Sequence, residues 1–352
     1  MSVRQFLGLL VAGSATVVVA AEGRFPIWEP VTIATSGRYV LTQDVTAGVG
    51  PVIDVVPGIG DVEIDLNGFT VSSSGAGTAV IQVNGANAVI IRNGSLQGGP
   101  AGLGVKVDGT LNVTLERLHV SNLGSDCLQV LNAGKVSIHH NTLEDCNGAG
   151  IRVDSSLVPD LATGSIESNR IQRAFAAVQV VGASSLTIRD NQIETTLGGD
   201  GVSVSNGNSI LVSENVIQSA GGNGAFLRGV KGAKLYNNVI SGAGLNGVWL
   251  APPFDNAIVL HNVISGSGQA GLRNEGSFVQ IDKNVVTRNN GFGVWLTPAA
   301  VQNTYGRNTM RGNSGLGPAC GAAFAACLTP QLCDEGGGNV SFGDNVGPIP
   351  GC

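Results

Sequence analysis

Two sets of positions recur in phase along most of this chain, and regularity of that kind is the signature of stacked repeats. One set is led by asparagine: Asn67, Asn93, Leu118 as an exception, then Asn141, Asn169, Asn191, Asn215, Asn238, Asn262, Asn284 and Asn308. From Asn67 to Asn308 is 241 residues in ten steps, a mean period of about 24. The other set is Asp54, Gln82, Lys106, Gln129, Arg152, Gln179, Ser203, Phe226, Trp249, Arg273 and Trp295. Most of its members sit between aliphatic residues, as in Val248-Trp249-Leu250 and Val294-Trp295-Leu296. Two sets keeping step over eleven units describe a solenoid.

The local runs have period two, which puts alternate side chains on opposite faces of a strand. Each unit offers about three such runs; Ala225-Phe226-Leu227, Ala233-Lys234-Leu235 and Val239-Ile240 are one example. No unit has the long 3.6-period stretch a helix needs, which excludes the helical repeat families. The 53 glycines and the many asparagines mark corners, where they accept tight or left-handed backbone most readily. Three short strands per unit make one coil of a parallel β-helix. Coils are roughly 4.8 Å apart, so eleven form a rod roughly 50 Å long. Identical amides brought into register can hydrogen-bond up the stack, so the recurrent asparagines are expected to form an inward or corner ladder. Leu118 is compatible with the same inward position.

The phrases VEIDLNGFTV (Val62 to Val71) and VIIRNGSL (Val89 to Leu96), with the later I-x-x-N-x-I units, resemble right-handed parallel β-helix proteins of the pectin-lyase-like superfamily. The resemblance covers about residues 31 to 315 and rests on corner motifs, so it speaks for fold more than for function. It implies an all-β, right-handed parallel β-helix of about eleven coils with caps at both ends. The expected organisation is a signal peptide over 1–21, an N-terminal cap over 22–51, the helix over 52–315 and a cysteine-containing C-terminal cap over 316–352. The superfamily holds polysaccharide lyases, glycoside hydrolases, epimerases, tailspikes and non-catalytic surface proteins.

Export is read from Arg4, the apolar run Phe6 to Ala20 and the Val-x-Ala step before Glu22. That run is short for a membrane span and contains Gly, Ser and Thr. The expected location is secreted, extracellular or periplasmic, with no membrane span in the mature form. Six cysteines agree with an oxidising compartment. Cys127 and Cys146 lie near the start and finish of one coil and are expected to pair across a corner. Cys320, Cys327, Cys333 and Cys352 are expected to pair among themselves, in any of three connectivities. Their spacing lacks a C-x2-C knuckle and a nearby histidine, so disulfides fit better than zinc. Net charge is −6 and only 12% of residues are charged, with no basic stripe for nucleic acid. A surface of Asn, Ser, Thr and Gly suits sugars and inert rods alike.

In the superfamily, ligands lie along the outward face of one parallel sheet beside long corner loops, and the second set is the candidate for that face. Its first region is polar: Lys106 with Asp108, Gln129, then Arg152 with Asp154, and Asp126 nearby. The interval from strand to ladder is ten to twelve residues elsewhere but sixteen from Val153 to Asn169, so extra chain within Ser155 to Gly164 bulges out beside Arg152. A lyase needs a cation to neutralise a uronate carboxylate and a base for the C5 proton; Arg152, Lys106, Asp154, Asp108 and Asp126 are the catalytic candidates. Calcium enters only if the chain is a lyase; otherwise no cofactor and no metal ligands are expected. Two exposed ion pairs, Lys106–Asp108 and Arg152–Asp154, are the plain alternative. GSDC (Gly124 to Cys127) is similar to the G-D-D-C segment of polygalacturonase-type hydrolases, but Ser125 replaces one acid. Their His-Gly and Arg-x-Lys segments and the epimerases' Asp-Pro-His are absent.

The second region is Phe226, Trp249, Arg273 and Trp295, flanked by Arg228 and Glu275. Outward aromatics in a row are a platform on which sugar rings could stack. The alternative is cross-strand packing or cover by the C-terminal tail. His119, His139, His140 and His261 form no ligand set. The functional reading is a protein that binds a polysaccharide or glycan and, as an enzyme, would be a polysaccharide lyase or glycoside hydrolase. Its rival is a non-catalytic structural or adhesive rod.

Overall fold

The computed structural model describes residues 23–314 apart from 76, 100–101, 158–161 and 195, together with the strands Leu332–Asp334 and Val340–Phe342. The signal segment and the pairing of the four tail cysteines lie outside the described residues. Every pairing between strands is parallel, and no helix occurs among the described residues. One sheet has 13 strands, running from Val31–Ile33 to Leu332–Asp334. The other 24 strands form two further columns, so that a coil contributes three strands, such as Leu128–Leu131, Lys135–His139 and Thr142–Cys146. Residues 22–51, expected as a cap, already carry strands in these ladders: Phe25–Ile27 pairs with Gly37–Leu41, and Val31–Ile33 with Ile53–Val55.

The core follows from the alternation. Val248 and Leu250 on either side of Trp249 are fully buried, as are Ile151 and Val153 around Arg152. Each inward aliphatic lies on its counterpart one rung below, so the interior is a set of stacked Val, Ile and Leu columns. Small residues are needed where the third strand's aliphatic fills the space: a Cβ on Gly247 would lie 2.2 Å from Ile264 Cγ2.

The asparagine ladder runs unbroken from Asn141 to Asn308, each member at most 1% exposed. Each Nδ2 donates to the Oδ1 of the next asparagine at 2.9–3.0 Å and also to a backbone carbonyl of the preceding coil, as Asn215 does to Asn238 and Ile188. The residue before each ladder position is left-handed; His140, Asp190 and His261 have φ of 58°, 55° and 55°. A left-handed non-glycine residue costs about 1–2 kcal/mol, and the amide bonds at the corner offset it. Asn67 and Asn93 do not belong to the ladder. They occupy the left-handed position itself, with φ of 52° and 59°, one residue early. Leu118 is at the ladder position, buried, and its N–H donates to Asn141 Oδ1 at 3.0 Å, so the ladder starts on it.

Cys127 and Cys146 are joined by a disulfide, with Cα atoms 5.7 Å apart. Many dispersed charges turn out to be ordered. Asp65, Arg92, Glu116, His139, Glu167 and Arg189 lie one per rung in a single outward column. Arg92 reaches Asp65 at 3.4 Å and Glu116 at 3.9 Å, His139 Nε2 lies 3.6 Å from Glu116, and Arg189 bonds Glu167 at 2.9 Å. Opposite charges on neighbouring strands support pairing, which explains these residues without a ligand. His139 and His140 share a 3.0 Å Nδ1–Nδ1 contact, and His261 packs edge-on to Tyr236.

Candidate functional site

Register places the whole second set on one outward column of the 13-stranded sheet. Asp54, Gln82, Lys106, Gln129, Arg152, Gln179, Ser203, Phe226, Trp249, Arg273 and Trp295 pair one to the next without a break. Two residues on, Asp108, Leu131, Asp154, Val181, Ser205, Arg228 and Ala251 form the neighbouring column. Period-two alternation makes both columns outward by construction.

In the polar region Arg152 and Asp154 do meet, Nη2 to Oδ2 at 3.1 Å, with the arginine side chain 40% and the aspartate side chain 16% exposed. The second pair expected there does not form. Among the described residues Lys106 makes no ion pair, and Asp108 Oδ1 instead accepts from Asn132 Nδ2 at 3.0 Å. Asp154 Oδ1 accepts the Ser156 amide at 3.0 Å. Burial pushes the Asp154 pKa up, but hydrogen bonds from Ser156 and Arg152 outweigh it and hold it below the ordinary carboxylate value. Asp154 is therefore an acceptor and not a proton donor near neutral pH.

Asp126, also a catalytic candidate, is buried, and both of its carboxylate oxygens are engaged within the protein. It is 6% exposed; its Oδ1 accepts the Ala149 amide at 2.7 Å and its Oδ2 accepts from Gln129 Nε2 at 2.8 Å. It caps a corner one rung below the groove and orients Gln129. A groove of about 270 Å³ opens beside these residues, lined by Gln129, Leu131, Asn132, Arg152, Asp154, Ser156 and Leu157. The anomalous interval was the signal for it: Ser156 and Leu157 begin the extra chain.

These carboxylates do not fit a calcium site. Calcium takes six to eight oxygens, whereas both oxygens of Asp126 and of Asp154 are already held by N–H donors, and Asn132 holds one of Asp108. Among the described residues no three of His, Cys, Asp or Glu gather to hold a metal.

The aromatic region is not an open platform. The Arg273 guanidinium carbon lies 4.7 Å from the Trp249 ring centroid and 4.7 Å from that of Trp295, so the arginine is sandwiched between the two indoles. Phe226 packs on Trp249 with centroids 5.0 Å apart, and Phe292 on Trp295 at 6.1 Å. Glu275 closes the stack: it bonds Arg273 at 2.5 Å and accepts from Trp249 Nε1 at 3.2 Å. The tryptophan faces that would carry a sugar are turned along the rod and covered by Arg273. Cross-strand packing, with cation–π attraction, accounts for this column. Arg228, two residues beyond Phe226, is exposed.

Beside this stack, beginning three rungs from Arg152 and so roughly 14 Å along the rod, lies a second groove. It measures about 460 Å³ and is lined by Lys231, Pro252, Pro253, Asp255, Glu275 and Phe278 among others. Only Glu275 of these was singled out by sequence. The Pro252-Pro253 pair lies at that corner, within a coil of ordinary length.

No curated protein sequence matches this chain. Among solved structures it is similar to the A-module of the mannuronan C-5 epimerase AlgE6 of Azotobacter vinelandii, at 17% identity over 89% of this chain and 88% of that one, with a TM-score of 0.44. It is similar also to DFA-IIIase from Arthrobacter chlorophenolicus A6 in complex with DFA-III (13% identity, 88% and 83% coverage, TM-score 0.45). A third is tailspike protein 3 of bacteriophage CBA120 (11% identity, TM-score 0.45), where 91% of this chain spans only 56% of that one. Likenesses this distant carry no argument about activity. A family model described as the right handed beta helix region matches residues 59–193 and 176–326, well over half of the sequence. With its uninterrupted parallel ladders and three strands per coil, the chain belongs to the right-handed β-helix family.

Proposed function

We propose that this chain binds an extended anionic polysaccharide along the outward face of its 13-stranded sheet, with Lys106 and Arg152 meeting carboxylates of the polymer. The observation that carries the reading is their placement. Two cations stand in one column two rungs apart, with Gln129 between them and a groove alongside. Two rungs are roughly 9.6 Å. In an extended 1,4-linked chain a pyranose spans about one rung, and alternate sugars show the same side, so every second carboxylate falls against a cation. Lys106 is not engaged by any carboxylate among the described residues, while Asp154 holds Arg152 in a defined orientation and leaves much of it exposed. Gln129, Asn132, Gln179 and Ser203 supply donors and acceptors for hydroxyls.

Binding rather than cleavage is the reading. Asp154, shifted down, is not the proton-donating member of an acid pair. No metal is called upon. The leader-like segment Met1 to Ala21 supports a location outside the cell, where such polymers occur.

Calorimetric titration with tetramers of galacturonate and of mannuronate tests it. At least one should bind, more weakly as salt rises, and Lys106→Ala and Arg152→Ala should each weaken binding about tenfold. Binding untouched by both substitutions sinks the assignment of these cations. No binding by any glycan returns the molecule to the class of structural or adhesive rods. Unsaturated products absorbing in the ultraviolet would instead make it a lyase.

A further inference from the structure

The second groove differs in chemistry from the first. Its walls are apolar: Pro252 and Pro253 stand on one side, and Phe278, 52% exposed, on another. Its polar side chains are Lys231, Asp255, Glu275 and Ser277, with Arg273 bonded behind Glu275. Two cations and two carboxylates make the groove electrically balanced. Lys231 and Asp255 stand on adjacent rungs of one corner, joined by a backbone bridge.

Two buried groups there are not satisfied, the Arg273 Nε donor and one oxygen of Asp255. Asp255 Oδ1 is buried, and among the described residues nothing donates to it. A buried acceptor without a donor is costly, and native structures keep few of them. The carboxylate lines a concave space of a size that holds a small ligand, which reaches it through its other oxygen. A large aromatic side chain beside it is half open to solvent.

From this cluster we infer a second ligand site, for a neutral sugar ring that packs its C–H face on Phe278 and the prolines and donates hydroxyl hydrogens to Asp255 and Glu275. The inference rests on reading this face of the rod as a sugar-binding face. A uronate is disfavoured, since its carboxylate would meet Asp255 and Glu275. An ammonium ligand is disfavoured by Lys231. A neutral polyol supplies hydroxyls that both donate and accept without adding charge, and it presents an apolar face to an exposed aromatic ring. The three to five rungs from Arg152 to this groove, roughly 14–24 Å, let a single extended polymer with charged and neutral blocks touch both, or two chains occupy them separately.

Titration calorimetry of the full chain with cellotetraose, maltotetraose and mannotetraose decides the matter. One of these should bind, with affinity reduced about tenfold in Phe278→Ala and in Asp255→Ala, and unchanged in Lys106→Ala and Arg152→Ala. Phe278 is a surface residue, so its variant keeps the fold, which circular dichroism checks. Failure of all three tetrasaccharides to bind, or affinity that survives Phe278→Ala, overturns the proposal. The two readings fail separately. Uronate binding without neutral binding removes this site and leaves the first; neutral binding without uronate binding does the reverse.

Discussion

At the scale of single residues, the same chemistry is spent on structure in one place and left open in another. Trp249 and Trp295 look alike in sequence to ligand-binding tryptophans, yet Arg273 covers a face of each, and Phe226 and Phe292 pack on them as well. Trp249→Ala is therefore expected to lower stability by about 2–4 kcal/mol, since it removes contacts to Phe226, Arg273 and Glu275 together. Thermal melting reads this, and uronate binding should not change. An unaltered melting temperature with lost binding would restore the open platform. Asp200 shows a different conflict. Burial raises its pKa, against the lowering effect of the Asn223 amide and side-chain hydrogen bonds. Its successors at that corner are Asn223 and Asn246, linked Nδ2 to Oδ1 at 3.1 Å, so an amide suits the position better than a charge. A raised folded pKa means the folded state holds its proton more tightly than the unfolded state does. Asp200 thus costs stability above its folded pKa, and the cost vanishes as pH falls below its unfolded pKa. Asp200→Asn should raise the melting temperature at pH 7 and give no gain at about pH 3, below the ordinary aspartate value. A gain that is the same at both pH values would contradict this account.

At the scale of elements, the strands are too short to stand alone, and the corners decide whether they stack. Three-residue strands such as Val263–Ser265 and Val285–Thr287 make few backbone bonds each. The ladder asparagines join one coil to the next where the sheets are interrupted. Asn215 accepts from the side chain and amide of Asn191 and donates to Ile188, Ser213 and Asn238. Asn215→Ala would leave several buried groups without partners at once, each costing about 1–3 kcal/mol. The expected loss of about 3–5 kcal/mol is to be measured by urea unfolding. An effect below about 1 kcal/mol would show that water or backbone shifts replace the ladder. Leu118 marks where such a ladder can end: its side chain asks for no partner, and only its N–H needs Asn141.

At the scale of the whole molecule, one long rigid face is built by repetition, and function is written on it by local departures. The regular coils bury the core and hold the outward columns in register over many rungs. The grooves lie at corners, one at the extra chain after Asp154 and one at Pro252-Pro253. In a solenoid each coil contacts only its neighbours, so an insertion at one corner reshapes the surface there and leaves distant rungs in place. That separation permits two chemically unlike sites on one sheet.

Most of the fold was legible in the residues because a stacked repeat converts sequence separation into spatial register. The eleven-member column from Asp54 to Trp295 is in the structure as it is in the sequence, and so is the Cys127–Cys146 bridge. Where the reading slipped, at Asn67 and Asn93, a corner motif shifted by one residue carries the same letter for a different reason: a left-handed backbone rather than a ladder amide. What the sequence could determine is which side chains face outward and which rungs are adjacent. Only the tertiary structure decided which of them remain available. Trp249 lost its open face to an arginine on the next rung, Asp126 turned inward to an amide across a corner, and Asp255 was left without a donor. Outward direction follows from alternation along one strand, whereas availability depends on what neighbouring coils place within hydrogen-bonding and stacking reach, and no period in the sequence records those distances.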